Sequence, residues 1–305
     1  MGNYLNKMLR KAKFIYMIFL VLFLCSFENV TDEEMISMGA TSEVLQELKA
    51  DVISPRTGDI DFPVCHAHVT VPQGFVFMDI EQTKKLLVDY WGNPEDRMED
   101  VIGSLVPASC EAFYQIAVAY IISYENCGYI KDDDASSIDY DELMKQIQKA
   151  SAEANESLPV EQRLTIKGWA VTPQYLKSSH TLIWAKTVGS VDGESVNYDM
   201  RILGKDGLVS LNAVADPTAL DEIVSTGSMM MNSVTFDNGY AYSDFDPKRD
   251  RISDWTIGGL IAGGVLAKTG FFAKLGVLLV KFWKLIAVAV IAIGASIKKI
   301  FKKRD

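Results

Sequence analysis

Six carboxylates fall between residues 132 and 142: Asp132, Asp133, Asp134, Asp139, Asp141 and Glu142. A crowd of oxygen ligands invites calcium, whose helix-loop-helix site needs a glycine at the sixth position and a glutamate at the twelfth. Counted from Asp132, those positions hold Ser137 and Leu143. The better account is a solvated acidic loop leading into a helix whose dipole favours carboxylates at its start. A second candidate is Cys65-His66-Ala67-His68. On a strand His66 and His68 would share one face, enough for two metal ligands. His180 is the only other histidine, and no acidic ligand stands at a telling spacing, so packing is the preferred reading. Acyl-transfer chemistry finds no Gly-x-Ser-x-Gly elbow and no motif pairing a serine or cysteine with His180. Nucleotide cofactors find no Gly-x-Gly-x-x-Gly and no phosphate loop. Trp169, Tyr175, Trp184, Tyr198 and Tyr242 could line a groove, although aromatics on strands more often fill cores. No catalytic, cofactor-binding or metal-binding residue is assigned, and no cofactor is expected.

The elements that would carry these residues follow from periodicity. Thr31-Asp-Glu-Glu34 is a good helix start, followed by apolar spacing through Met35, Met38, Val44, Leu45 and Leu48. Val64 to Val71 alternates like a strand, and Pro72-Gln-Gly74 turns into a second, Phe75 to Met78. Ile80 to Trp91 has helical spacing. Val101 to Val106 and Phe113 to Tyr124 read as strands, and Asp139 to Glu153 as a helix capped by Asp139. Four strands follow: Leu164–Val171, Thr181–Val188, Ser195–Leu203 and Leu208–Ala213. Lys205-Asp206-Gly207 forms a hairpin turn between the last two, with a glycine free to take positive φ. Asp216-Pro217 opens a helix to about Met231. Strands in runs with helices at intervals predict an α+β domain on a mainly antiparallel sheet with flanking helices.

The charge is distributed in three blocks. The 305 residues carry a net −10, but residues 31–255 hold 38 acidic against 17 basic side chains. That acidic middle repels phosphate backbones, so nucleic acid is not an expected partner. The ends are basic and apolar. Residues 1–26 read as a signal sequence or an uncleaved signal anchor: a basic start to Lys13, then eleven apolar residues to Leu24, without a good cleavage site. Residues 256–305 read as a glycine-rich membrane anchor closed by Lys298-Lys299 and Lys302-Lys303-Arg304, a flank that prefers the cytoplasm. One span over about 275–297 satisfies that preference but takes Lys281 into the apolar region. A hairpin of two shorter spans, 257–273 and 285–300, avoids that cost and leaves the basic tail outside. Gly259-x-x-x-Gly263 permits close helix approach. Residues 31–255 then form one exported domain, facing the periplasm or another space outside the cytoplasm. Cys65, Cys110 and Cys127 allow at most one disulfide there, so this is not a disulfide scaffold.

Several stretches resemble a known family. They are Gly128-Tyr-Ile-Lys-Asp132-Asp-Asp, Gly168-Trp-Ala with Pro173-x-Tyr175, and His180-Thr-Leu-Ile-Trp-Ala185-Lys. Asn197-Tyr-Asp-Met-Arg-Ile-Leu-Gly204, Gly207-Leu-Val-Ser-Leu-Asn-Ala213, Gly239-Tyr-Ala-Tyr-Ser-Asp-Phe-Asp246 and the tail from Gly258 to Lys268 continue the likeness. In order over roughly residues 58–300, they resemble domain-of-unknown-function family 2167, bacterial membrane-anchored proteins. The turn departs in detail, with Asp206 where the family has a second basic residue. The resemblance implies a membrane-anchored protein and transfers no catalytic residue. The expected function is a non-enzymatic interaction or structural module of the bacterial envelope, with the lipid bilayer, a membrane or envelope protein, or a second copy as partner. The alternative is a metal-dependent or other hydrolase acting in the envelope.

Overall fold

The structure, a computed structural model, describes residues 32–37, 41–93, 95–191 and 193–263. The export segment and the anchor beyond Gly263 lie outside the described residues. Two compact units divide the chain between Ile261 and Ala262, and the first holds all the described strands. No described helix is long and apolar enough to cross a membrane.

A seven-stranded antiparallel sheet dominates. Its strands are β3 (Phe75–Met78), β4 (Val101–Pro107), β5 (Ala119–Glu125), β7 (Thr165–Leu176), β8 (Thr181–Ser190), β9 (Gly193–Leu203) and β10 (Leu208–Ala215), in the order β3-β4-β5-β10-β9-β8-β7. Two small sheets accompany it. One joins β1 (Asp59–Phe62), β2 (Ala67–Thr70) and β11 (Val234–Phe236). The other pairs β6 (Tyr129–Lys131) with β12 (Ile252–Thr256) in parallel. The helices are α1 (Asp32–Ser37), α2 (Ser42–Ala50), α3 (Ile80–Lys84, continued by a π-helical turn Lys85–Tyr90), α4 (Tyr140–Asn155), α5 (Leu220–Asn232) and α6 (Ile257–Ala262). The expected α+β class with an antiparallel sheet and flanking helices is what the chain adopts.

Alternation sorts the main sheet into two faces. On the first, Tyr120, Ile122, Tyr198, Met200, Val209 and Leu211 join Ile223 and Met230 of α5 and Phe62 and Val69 of the three-stranded sheet in one apolar core. The second face has two separate covers. Leu45 and Leu48 of α2 and Leu86, Leu87 and Tyr90 after α3 pack over Met78, Val106 and Ile121. At the other edge α4 lies along β7, where Trp169 Nε1 donates to the Tyr140 carbonyl at 3.1 Å. Between the covers the sheet is open.

Four expectations change. The single helix expected from Thr31 is described as two, Asp32–Ser37 and Ser42–Ala50, the second beginning where Thr41 Oγ1 accepts from Val44 N. The strand expected over Val64 to Val71 is only Ala67–Thr70. Before it the chain turns, Cys65 N donating to Phe62 O, and His66 sits at φ +50°. The strand expected from Phe113 starts at Ala119, because Gln115 Oε1 accepts from the N–H groups of Glu111 and Ala112 and holds Phe113–Gln115 in a helical turn. β7 runs on through Pro173 to Leu176, which an edge strand permits since proline's missing donor can face away from the ladder.

Candidate functional site

The opening between the two covers is a cleft of about 510 Å³. Its floor crosses four strands: Ile121 and Ser123 of β5, Asn212 and Val214 of β10, Ser195 and Asn197 of β9, and Val188 and Ser190 of β8. Leu87, Trp91, Asn93 and Met98 form one wall, and Leu164, ahead of β7, stands on the other. The volume is that of a small-molecule site. Among the described residues the lining is neutral apart from Asp216, whose Oδ1 is already engaged by the Thr218 backbone N–H at 2.8 Å and hydroxyl at 2.6 Å.

Next to this floor the same face carries charged side chains on central strands. The cross-strand pairs Asn212–Asp199 and Asp199–Trp184 form one row, and Ser123–Ser210 and Ser210–Arg201 the next. Asn212 Nδ2 donates to Asp199 Oδ1 at 3.1 Å, and Arg201 pairs with Glu125 at 3.3 Å. Burial lowers the Lys186 ammonium from its ordinary range, with Asp199 opposing the shift and Arg201 adding to it. Trp184 Nε1, Arg201 Nε and Ser210 Oγ are buried without a hydrogen-bond partner among the described residues. They occupy adjoining positions of this face. Leaving such a group unsatisfied costs roughly 1–3 kcal/mol, so the cluster marks a place where packing has yielded to something else.

The acidic loop does structural work. Tyr175 donates to Asp132 Oδ2 at 3.0 Å. Asp134 accepts from Ile257 N at 3.1 Å and Gly258 N at 2.9 Å, closing the start of α6 with a carboxylate where a helix leaves its N–H groups open. Asp139 Oδ1 accepts from Asp141 N and Glu142 N and caps α4 as expected. Among the described residues no three metal-ligating side chains come together. Replacing Asp134 by alanine is expected to remove about 1–2 kcal/mol of stability, as for the loss of other helix caps, and to expose residues 252–262 to proteolysis before the main sheet unfolds. Limited proteolysis with mass mapping reads this directly.

The histidines separate. His66 lies in the turn before β2 and stacks on Tyr240 at 3.7 Å, whereas His68, on the strand, faces Asp237 at 3.7 Å. They do not share a strand face, because the left-handed His66 backbone ends the alternation. His180, also left-handed at φ +49°, stacks on Tyr242 at 4.2 Å with its Nδ1 3.1 Å from Tyr175 OH. Tyr175 has one proton, given to Asp132, so His180 Nδ1 is the donor to the phenol oxygen. Trp184, Tyr198 and Tyr242 are core residues, while Trp169 and Tyr175 are half-buried and do not line the cleft. Cys65, Cys110 and Cys127 form no disulfide with one another, and burial pushes Cys65 and Cys110 up to about 11. The cleft residues were not among the sequence candidates. Their one signal was polar side chains on the long central strands of β9 and β10.

Fold and cleft together define an α+β domain with a ligand-sized opening on one sheet face. The chain belongs to the family described as Protein of unknown function (DUF2167), which matches residues 54–294. The match covers the whole described sheet and extends into the tail. Comparison with curated proteins returns no match. Among solved structures the chain is similar to the solution structure of cyanobacterial PsbP (CyanoP) from Synechocystis sp. PCC 6803. The two share 7% identity over 61% of this chain and 94% of that one, with a TM-score of 0.35.

Proposed function

We propose that the protein is an exported, membrane-anchored module of the bacterial envelope that binds a partner without transforming it, and that the cleft is its binding surface. The observation that carries this reading is the cleft itself, ligand-sized, with Asp216 as the one charged side chain and no histidine or cysteine among its described lining residues. Placement rests on the sequence: residues 1–26 direct export, 31–255 form the exported domain, and 256–305 enter the bilayer as one span or a helical hairpin. The net charge of residues 31–255 argues against nucleic acid, and association with a second copy or another envelope protein is compatible with the anchor. Topology reporters fused after residues 50, 255 and 305 test the placement. Export-dependent signal is expected at 50 and 255, with residue 305 on the cytoplasmic side for one span. Cytoplasmic activity at 255, or a full-length protein soluble without detergent, overturns it.

One observation favours a second reading. The series Asp132–Tyr175–His180 resembles the orientation device of an acid–base enzyme, with His180 Nε2 as the base. The described hydrogen bonds bring no serine or cysteine nucleophile to it, and the metal-dependent version lacks a ligand cluster among the described residues.

A further inference from the structure

The cleft's lining points to a class of ligand. Among the described residues it holds three side-chain amides, Asn93, Asn197 and Asn212, and three hydroxyls, Ser123, Ser190 and Ser195, with no lysine or arginine. Phosphate or carboxylate recognition rests on Arg, Lys or a cradle of backbone N–H groups, and a bound cation needs open carboxylates. The described lining offers no Arg or Lys side chain, and its single carboxylate, Asp216, already spends Oδ1 on the Thr218 N–H and hydroxyl. An amide both donates and accepts, as does a hydroxyl, so this lining matches a ligand whose groups also do both. Several valences are open for that purpose. Asn93 and Asn212 use their NH₂ groups on the Leu87 carbonyl and Asp199, leaving each carbonyl oxygen as an acceptor. The apolar part of the wall, Trp91 with Leu87, Met98 and Val188, suits the C–H faces of a pyranose. The floor also adjoins Ser210, which is 7% exposed and stands cross-strand from Ser123 with its hydroxyl unpartnered.

We infer that the cleft binds a neutral oligosaccharide, a plain or N-acetylated hexose chain laid across β5, β10, β9 and β8. The inference rests on the binding-module reading and specifies its ligand. The test is isothermal titration calorimetry of the full-length protein in detergent micelles. The neutral probes are an N-acetylglucosamine tetramer and maltotetraose, and the anionic probe is a galacturonate oligomer. Saturable binding of a neutral probe, and none of the anionic one, is expected. Asn197→Val should weaken it about tenfold, the value of one or two neutral hydrogen bonds. Ser195→Trp, which fills the floor, should abolish it, with circular dichroism showing each variant folded. Binding unaffected by either variant overturns the assignment to this cleft. A second arm places a photo-crosslinking residue at position 195 in cells. A peptide or protein adduct without sugar binding sinks the oligosaccharide but leaves the binding-module reading standing. Neither sugar binding nor any adduct sinks both.

Discussion

Raising the pH from about 9 to about 11 is expected to unfold the domain in one cooperative step. Tyr120 and Tyr124 are buried in the first-face core, and desolvation pushes both phenols up to about 12. Tyr90 and Tyr242 are raised further by burial, Tyr90 also by its hydrogen bond to Asp51 at 2.6 Å. A tyrosine whose value is raised by folding keeps its proton in the native state while the unfolded chain releases it above the ordinary 10.0. The stability it contributes is therefore complete below pH 10 and is lost as the pH climbs. By pH 11 each such group withdraws about 1.4 kcal/mol. Four withdraw about 6 kcal/mol, as much as the whole stability of many domains. The thiols of Cys65 and Cys110 start the decline above their ordinary 9.0. Lys186 acts in the opposite sense, since its lowered value makes the native state easier to hold as the pH approaches 10.5, and that help ends there. Far-ultraviolet circular dichroism and tyrosinate absorbance should change together. A gradual rise in absorbance with the dichroism intact would mean that these phenols ionise inside the fold.

Gly207→Val is expected to be the most damaging single substitution on the sheet. A Cβ at 207 would lie 2.0 Å from the Glu125 carbonyl oxygen and 3.0 Å from its carbon. Backbone at that range cannot swing aside as a side-chain tip can. The neighbourhood is also fixed by Gly128 N donating to Asp206 O at 2.9 Å and Gly204 N to Gly207 O at 2.8 Å. Relief requires the β9–β10 turn to part from the corner between β5 and β6, at a cost of about 3 kcal/mol or more. Gly58→Ala is the control. Its φ is +82°, but nothing lies within 4 Å of the added carbon, so only the local backbone cost of about 1–2 kcal/mol applies. Urea midpoints separate the two, and equal shifts would refute the close approach as the reason for glycine at 207.

Gly207 also shows how far sequence reasoning reached. The hairpin was legible because Lys205-Asp206-Gly207 sits between two alternating strands, but the glycine is required by a carbonyl more than eighty positions away in the chain. The long strands β7 to β10, the Asp139 cap of α4 and the Asp216 cap of the helical turn leading into α5 were legible for the same local reason. The short strands β1, β6, β11 and β12, three to five residues each, are too brief for alternation to show. The cleft was not legible at all. Asn197, Asp199 and Asn212 look like the wet face of a half-buried strand, and only the covers over both edges of that face make their surroundings a pocket. The capping role of Asp139 was legible, but Asp132 and Asp134 were read as solvated and instead serve two different elements, Tyr175 of β7 and the start of α6.

The fastening of Ile257 and Gly258 by Asp134 carries a mechanical consequence. Any tension that reaches the domain from its carboxy-terminal side must first pass through α6 and then β12. β12 runs parallel to β6, so a pull along its direction loads that pairing in shear, with its bonds sharing the force. The Asp134 carboxylate takes the load one step earlier and yields first. Removing that carboxylate would turn the joint from a firm mooring into a slipping one, leaving the seven-stranded sheet unstrained.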